Sequence, residues 1–260
     1  MSGAETLDPQ FQADTMMSVL NERLAAASPV EDLSVHSDRI LQVMEEPDGS
    51  RFVRRGFTDE GVSYVQRSGL SFREAWEGME DTYAAVGVDV VPSFIFEQEG
   101  EHSFVVISEY VPDAVDVSEL PTEEKVKLVQ GLGKLFKPEA EYWPSLEALR
   151  ADTFKGVEQE DGTFRVLMMD TDPFVIPAPS LARDEYVGQY IKKLSEILWD
   201  DWCDQDDRGE VAAALVISLA ESLDEEEYAG MHNTASRAFM NLHMMSNGMD
   251  PRGTGVDMLD

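Results

Sequence analysis

The stretch Ile40 to Val53, ILQVMEEPDGSRFV, constrains the fold more than any other. Two apolar, strand-like runs flank Pro47-Asp48-Gly49, a turn signal, and predict a hairpin. A polar segment with Gly56, Gly61, Ser68 and Gly69 follows. Then SFREAWEGMEDTYAAVG reads as a helix. Ser71 caps it, and Glu74 three residues later completes a capping box. Phe72, Ala75, Trp76, Met79, Tyr83 and Val86 form an apolar stripe at helical spacing, and Gly87 is placed to end it. VVPSFIFEQEGEHSFVVISEYV adds two strands, Ser93 to Glu97 and Ser103 to Glu109, around a turn at 98–102. The order is therefore strand, strand, helix, strand, strand.

The flanks are more helical. Asp8-Pro9 reads as an N-cap and first helical residue, and the helix runs to Ala27, where Ser28-Pro29 stops it. Past a loop at 112–121, Thr122 to Leu135 is amphipathic, with Val126, Val129, Leu132 and Leu135 on one side. A short helix is expected near Pro144 to Arg150. EDGTFRVLMMDTDPF gives a turn at Asp161-Gly162, a strand from Phe164 to Met169 and a turn at 170–173. Helices are expected over Arg183 to Trp199, Gly209 to Leu223 and Glu225 to Ser246, and a loose tail after that.

Charge narrows the partners. The chain has 52 acidic residues against 20 basic ones, a net charge of −32. With 43% hydrophobic residues it can still bury a core, so disorder is not the reading. An acidic surface with few lysines suits a high-salt cytoplasm, where salt screens the self-repulsion. The source expected is a salt-in halophile or its virus. An acidic marine or phage protein, or a DNA mimic, would share the composition. No basic stripe exists to bind nucleic acid. No run approaches ~18 apolar residues, so no membrane span is expected, and the N-terminus lacks a signal-peptide pattern. These features predict a cytoplasmic protein. Lowering KCl from molar to about 0.05 M lengthens the Debye length from about 3 Å to beyond 10 Å. The melting temperature followed by circular dichroism is expected to fall. Equal melting at both salts would contradict the halophile reading.

With the elements in place, the chain resembles the aminoglycoside phosphotransferase and small-molecule kinase branch of the protein-kinase-like superfamily. The hairpin through RFVRRGF is similar to the family's second and third strands. SFREAWEGMEDTYAAVGVDVVPSFIFE is similar to the helix bearing a conserved-type Glu and the strand after it. FVVISEYVPDAVDVSELP is similar to the strand into the interlobe hinge, and EDGTFRVLMMDTDP to the strands that end in a metal-binding Asp. The resemblance implies an α+β, two-lobed kinase-like fold. A helical extension would span 1–29. An N-lobe with a small antiparallel sheet would span 30–111, a mostly helical C-lobe 112–248, and a flexible tail 249–260.

It also implies a site. Alternation places Val53 and Arg55 on one face of the strand and Arg54 on the other. Arg55 then meets nucleotide phosphate, with Glu74 as its partner. Glu109 and Val111 lie at the hinge against the cofactor. Asp152 takes the catalytic-base position, while Asp170, with Asp172 close by, takes the Mg²⁺ position. The cofactors implied are ATP and Mg²⁺. Two departures stand out: no glycine-rich loop precedes Ile40, and no Asn follows Asp152. Anchored on Asp161-Gly162, Lys155 falls at the Asn position, where an ammonium can touch phosphate but cannot ligate Mg²⁺. The plain alternatives are that Arg54 and Arg55 are surface charges and that DTDP is only a turn.

Other chemistry is thin. The lone Cys203 excludes disulfides within the chain and cysteine-based zinc sites. It sits among Asp200, Asp201, Asp204 and Asp206, which raise a thiol pKa and argue against a nucleophile. His36, His102, His232 and His243 are scattered. The Met-rich run Phe239 to Met245 reads as packing of a terminal helix, with a plastic binding face as the alternative. The leading function is a kinase-like protein with incomplete catalytic machinery that binds a nucleotide or a protein. An active phosphotransferase is the second reading, and a non-enzymatic structural or assembly protein, viral in one version, is the third.

Overall fold

The computed structural model describes residues 9–35, 39–58, 71–97, 104–135, 142–144, 146, 149–169, 175–177, 183–223 and 236–249. The chain divides into two compact units. One contains Met1–Tyr64 and Pro92–Tyr110, the other Val65–Val91 and Val111–Asp260.

The first unit is a helix on an antiparallel sheet. Helix α1 (Pro9–Ala26) is followed by strands β1 (Ser28–Val35), β2 (Arg39–Glu45) and β3 (Arg51–Phe57). After an excursion into the second unit come β5 (Ser93–Glu97) and β6 (Phe104–Glu109), giving the order β1-β2-β3-β6-β5. The predicted hairpin is β2–β3, with Met44 opposite Phe52. Gly49 turns it at φ 86°, a left-handed conformation that costs glycine little. Asp48 fixes the same turn by accepting from the Ser50 backbone N–H at 2.9 Å. The sheet face carrying Phe52 packs with Met44, Val105 and Ile107 against Leu20 of α1. Arg23 of α1 straddles the hairpin end with two bonds to Glu46, 2.8 and 2.7 Å long.

Strand β1 is absent from the sequence reading. Its pairing with β2 slips between Pro29 and Glu31 and again between Asp32 and Ser34. Two such bulges erase the period-2 signature by which a strand is read.

The second unit mixes helices with short strands. Helix α2 (Phe72–Ala84) leads to β4 (Asp89–Val90); then come β7 (Val115–Asp116), α3 (Thr122–Gly133), β8 (Tyr142–Pro144), β9 (Phe154–Glu158), β10 (Phe164–Met168) and β11 (Val175–Pro177). Helices α4 (Arg183–Ile197), α5 (Arg208–Ser222) and α6 (Ser236–Ser246) complete it, and α4 widens at its end into a π-turn, Leu198–Trp202. The strands form a four-stranded sheet, β4-β10-β9-β7, and a pair, β11-β8. Phe154 is fully buried, edge-on to Tyr83 at 6.0 Å and to Trp202 at 5.8 Å.

Two expectations differ from this, and a third is described only in part. Helix α2, expected with the sheet of 30–111, belongs to the second unit. Its stripe of Ala75, Trp76, Met79 and Tyr83 is buried, and Tyr83 packs on Phe154 of that unit. Where a short helix was expected near Pro144 to Arg150, Pro144 instead ends the strand Tyr142–Pro144, which pairs with β11; 145, 147 and 148 lie outside the described residues. Proline cannot donate to a ladder but tolerates the end of a strand. The expected helix from Glu225 is described only as Ser236–Ser246; 224–235 lie outside the described residues.

Helices α3 and α5 meet through a glycine. A Cβ on Gly133 would stand 2.6 Å from Ser218 Oγ, and that hydroxyl donates to the Gln130 carbonyl at 2.6 Å. Gly133→Ala is therefore expected to cost about 1–3 kcal/mol through overpacking, despite alanine's better helix propensity. Urea denaturation measures it; a stabilised variant would show that the helices part without cost.

Candidate functional site

Arg55 lies in β3 between Leu41 of β2 and Val106 of β6. Its side chain is buried, with 7% exposure. Alternation puts it on the sheet face of Val43, Val53 and Val106, opposite the face that α1 covers. The division of the two arginines is as expected: Arg54 is on the other face and donates to Gln42 Oε1 at 3.2 Å. Glu109 ends β6, exposed, with its N–H bonded to the Pro92 carbonyl at 3.0 Å. The chain passes from the first unit to the second between Tyr110 and Val111, within the stretch expected to be the hinge.

The other residues belong to the second unit. Glu74 has a local duty: its Oε2 accepts from the Ser71 N–H at 2.8 Å, while Ser71 Oγ accepts from the Glu74 N–H at 3.2 Å. Those bonds to Ser71 hold the carboxyl below its ordinary pKa. Arg55 and Glu74 thus fall in different units.

Asp152 stands in a single 3₁₀ turn, Ala151–Thr153, that runs straight into β9. The turn is fixed on several sides. Trp202 Nε1 donates to the Ala151 carbonyl at 2.9 Å, Thr153 Oγ1 accepts from the Arg150 N–H at 3.1 Å, and Met169 N–H donates to the Thr153 carbonyl at 2.7 Å. The Asp152 carboxylate is exposed and pairs with Arg150 Nε at 3.3 Å. Lys155 lies in β9 opposite Asp116 of β7, and its Nζ is ion-paired with the Asp116 carboxylate. Met169 is the last described residue before Asp170. Asp170 and Asp172 lie outside the described residues.

Asp116 and Arg150 were missed in the sequence. Arg150 was detectable, two residues from Asp152 on a turn. Asp116 was not, because its partnership depends on a two-residue strand. Among the described residues, no group of three or more His, Cys, Asp or Glu side chains is placed to hold a metal. Lys155, expected at the Asn position on one anchoring, is the residue paired with Asp116. Cys203 is buried, and desolvation followed by the charge of Asp207 pushes its thiol up to about 12, the opposite of what activates a nucleophile. His243 is exposed on α6, and the other three histidines lie outside the described residues. Among the described residues, no helix is long and apolar enough to cross a membrane.

The architecture is that of an α+β protein, with an antiparallel sheet in one unit and most of the helices in the other. No family's sequence model matches the chain, and no curated protein matches it. Among solved structures it is similar to the Rio2 kinase–ADP/Mg²⁺–phosphoaspartate complex from Chaetomium thermophilum, with 8% identity and TM-score 0.45, over 87% of this chain and 75% of that one. It is also similar to the kinase domain of maize SIRK1 bound to AMP-PNP, with 13% identity and TM-score 0.43, over 86% and 95% of the two chains. A third is the pseudokinase DRIK1 bound to ENMD-2076, with 13% identity and TM-score 0.39, over 88% and 93%.

Proposed function

We propose that this chain is a kinase-like protein that acts by binding, in a high-salt cytoplasm, and does not transfer phosphate. One observation carries the reading: Lys155 is ion-paired with Asp116. Where phosphoryl transfer needs an oxygen ligand for Mg²⁺, the chain has a cation with a structural partner. Two further features agree. Glu74 is committed to its helix cap, and Asp152 to Arg150. Active phosphotransfer, with Asp152 as base and Asp170 on the metal, would have to release that carboxylate first.

The ligand proposed is a nucleotide held by its phosphates at Arg55 and by its base against Glu109, with a protein partner as the readout. Thermal unfolding in molar KCl tests this. ATP at 100 times its Kd stabilises by about 2.7 kcal/mol. The shift is expected without Mg²⁺ and is expected to vanish in Arg55→Met. A shift that required Mg²⁺ would contradict the binding-only reading. No shift under either condition would remove the nucleotide and leave a protein ligand.

A further inference from the structure

A cleft of about 360 Å³ opens between the π-turn after α4, the start of α5 and the end of α6, lined by Trp199, Gln205, Arg208, Met245 and Met249. It plays no part in the reading above. Its chemistry centres on Arg208, the first residue of α5. The guanidinium carbon lies 3.8 Å from the centre of the Trp199 ring. Nη2 donates to the carbonyls of Trp199 and Cys203 at 3.0 and 3.1 Å. Nε is buried and has no hydrogen-bond partner.

No carboxylate among the described residues bonds directly to Arg208, although, after the bonds from the Asp206 and Asp207 N–H groups, its charge helps hold the Asp204 carboxyl below its ordinary pKa. Asp207 turns away to Lys125, 2.6 Å distant. Asp204 Oδ1 accepts from the backbone N–H groups of Asp206 and Asp207 at 2.7 and 3.2 Å. Among the described residues, no carboxylate pairs with Arg208. In a chain with 52 acidic and 20 basic residues, that isolation is the unusual state. The positive end of α5 adds to the same pole. Gly209 lets α6 close over it, since a Cβ there would stand 3.3 Å from the Met245 carbonyl. Gly248, at φ 71°, turns the chain so that Met249 reaches the cleft, half exposed.

We propose that this cleft binds a small organic monocarboxylate with a short apolar body. With Nη2 on two carbonyls and Nε buried, Nη1 is the edge left for a charge-assisted hydrogen bond to a carboxylate oxygen, and the Gln205 amide can donate to the second oxygen. Methionines accommodate varied apolar shapes. The volume lies in the range of small-molecule sites, about 300–1,000 Å³. One cation balances one negative charge, and the Asp204 carboxylate beside the same turn opposes a doubly charged phosphate.

NMR titration of the full chain at constant potassium concentration tests the site, with potassium butyrate, benzoate, phosphate and chloride as probes. Butyrate and benzoate are expected to shift the backbone amides of Gly209 and Gly248 and the Trp199 indole saturably, with Kd of about 1 mM or tighter. Arg208→Lys, which keeps the charge and loses the guanidinium plane stacked on Trp199, is expected to weaken benzoate at least tenfold. Gln205→Glu, on an exposed side chain, places a competing carboxylate at the mouth and is expected to abolish binding without touching the carbonyl bonds of Arg208. It serves as the readout should Arg208→Lys fail to fold. The proposal is overturned by non-saturable shifts, by phosphate or chloride acting as carboxylates do, or by unchanged benzoate affinity in Gln205→Glu.

Discussion

Lys125→Met is expected to remove about 3–5 kcal/mol of folding free energy. Lys125 Nζ of α3 lies 2.6 Å from Asp207 Oδ2, and the two side chains are only 4% and 8% exposed. Asp207 Oδ1 is buried without a hydrogen-bond partner, so the ammonium is the main compensation for that carboxylate. Removing it strands a charge in the core, and the cost is that of burying an unpaired ion. Asp207 does not cap α5 through its side chain, so its removal sacrifices no helix cap. The double variant Lys125→Met/Asp207→Leu is therefore expected to recover most of the loss, since apolar replacement of a buried pair is often neutral. Guanidinium denaturation of the single and double variants measures both effects. A loss below about 1 kcal/mol in Lys125→Met would place the pair with ordinary surface bridges and refute its role.

ATP turnover is expected to be absent, or thousands of times slower than the 1–100 s⁻¹ usual for kinases. Losing metal-assisted stabilisation of transition-state charge removes several kcal/mol, and every 1.36 kcal/mol is tenfold in rate. The assay is phosphate release in molar KCl with excess Mg²⁺. Turnover of about 1 s⁻¹ or faster that disappeared in Asp170→Ala would sink the binding-only function and establish the phosphotransferase.

The sequence was legible where a structure is made by neighbours. The hairpin β2–β3, the cap at Ser71 and the turn at Gly162 depend on residues two to four apart, and all three form. The same locality explains the conflict at Glu74. Its resemblance-based role required a distant arginine, while its capping role required only Ser71, three residues away. The nearer partner is the one it bonds. Lys155 shows the opposite limit: its fate depends on Asp116, 39 positions earlier. Strands of two or three residues, such as β4, β7 and β11, are too short to display any period. Lys125 and Asp207, 82 positions apart, carry no mutual signal in a chain where acids are common.

The excursion of Val65–Val91 into the second unit sets an order of assembly. On a ribosome, Trp76, Met79 and Tyr83 emerge before the last strands of the first unit, yet the surface that buries Tyr83 includes Phe154. At typical synthesis rates that partner follows roughly 4–14 s later. Strand β4 waits longer still, because it pairs with β10. During that interval the nascent chain presents an apolar helix face with no native cover. The first unit can close while it waits, and the second cannot begin. A fragment starting at Val111 would lack both the helix and the strand it needs, so no single cut of the chain yields the second unit whole.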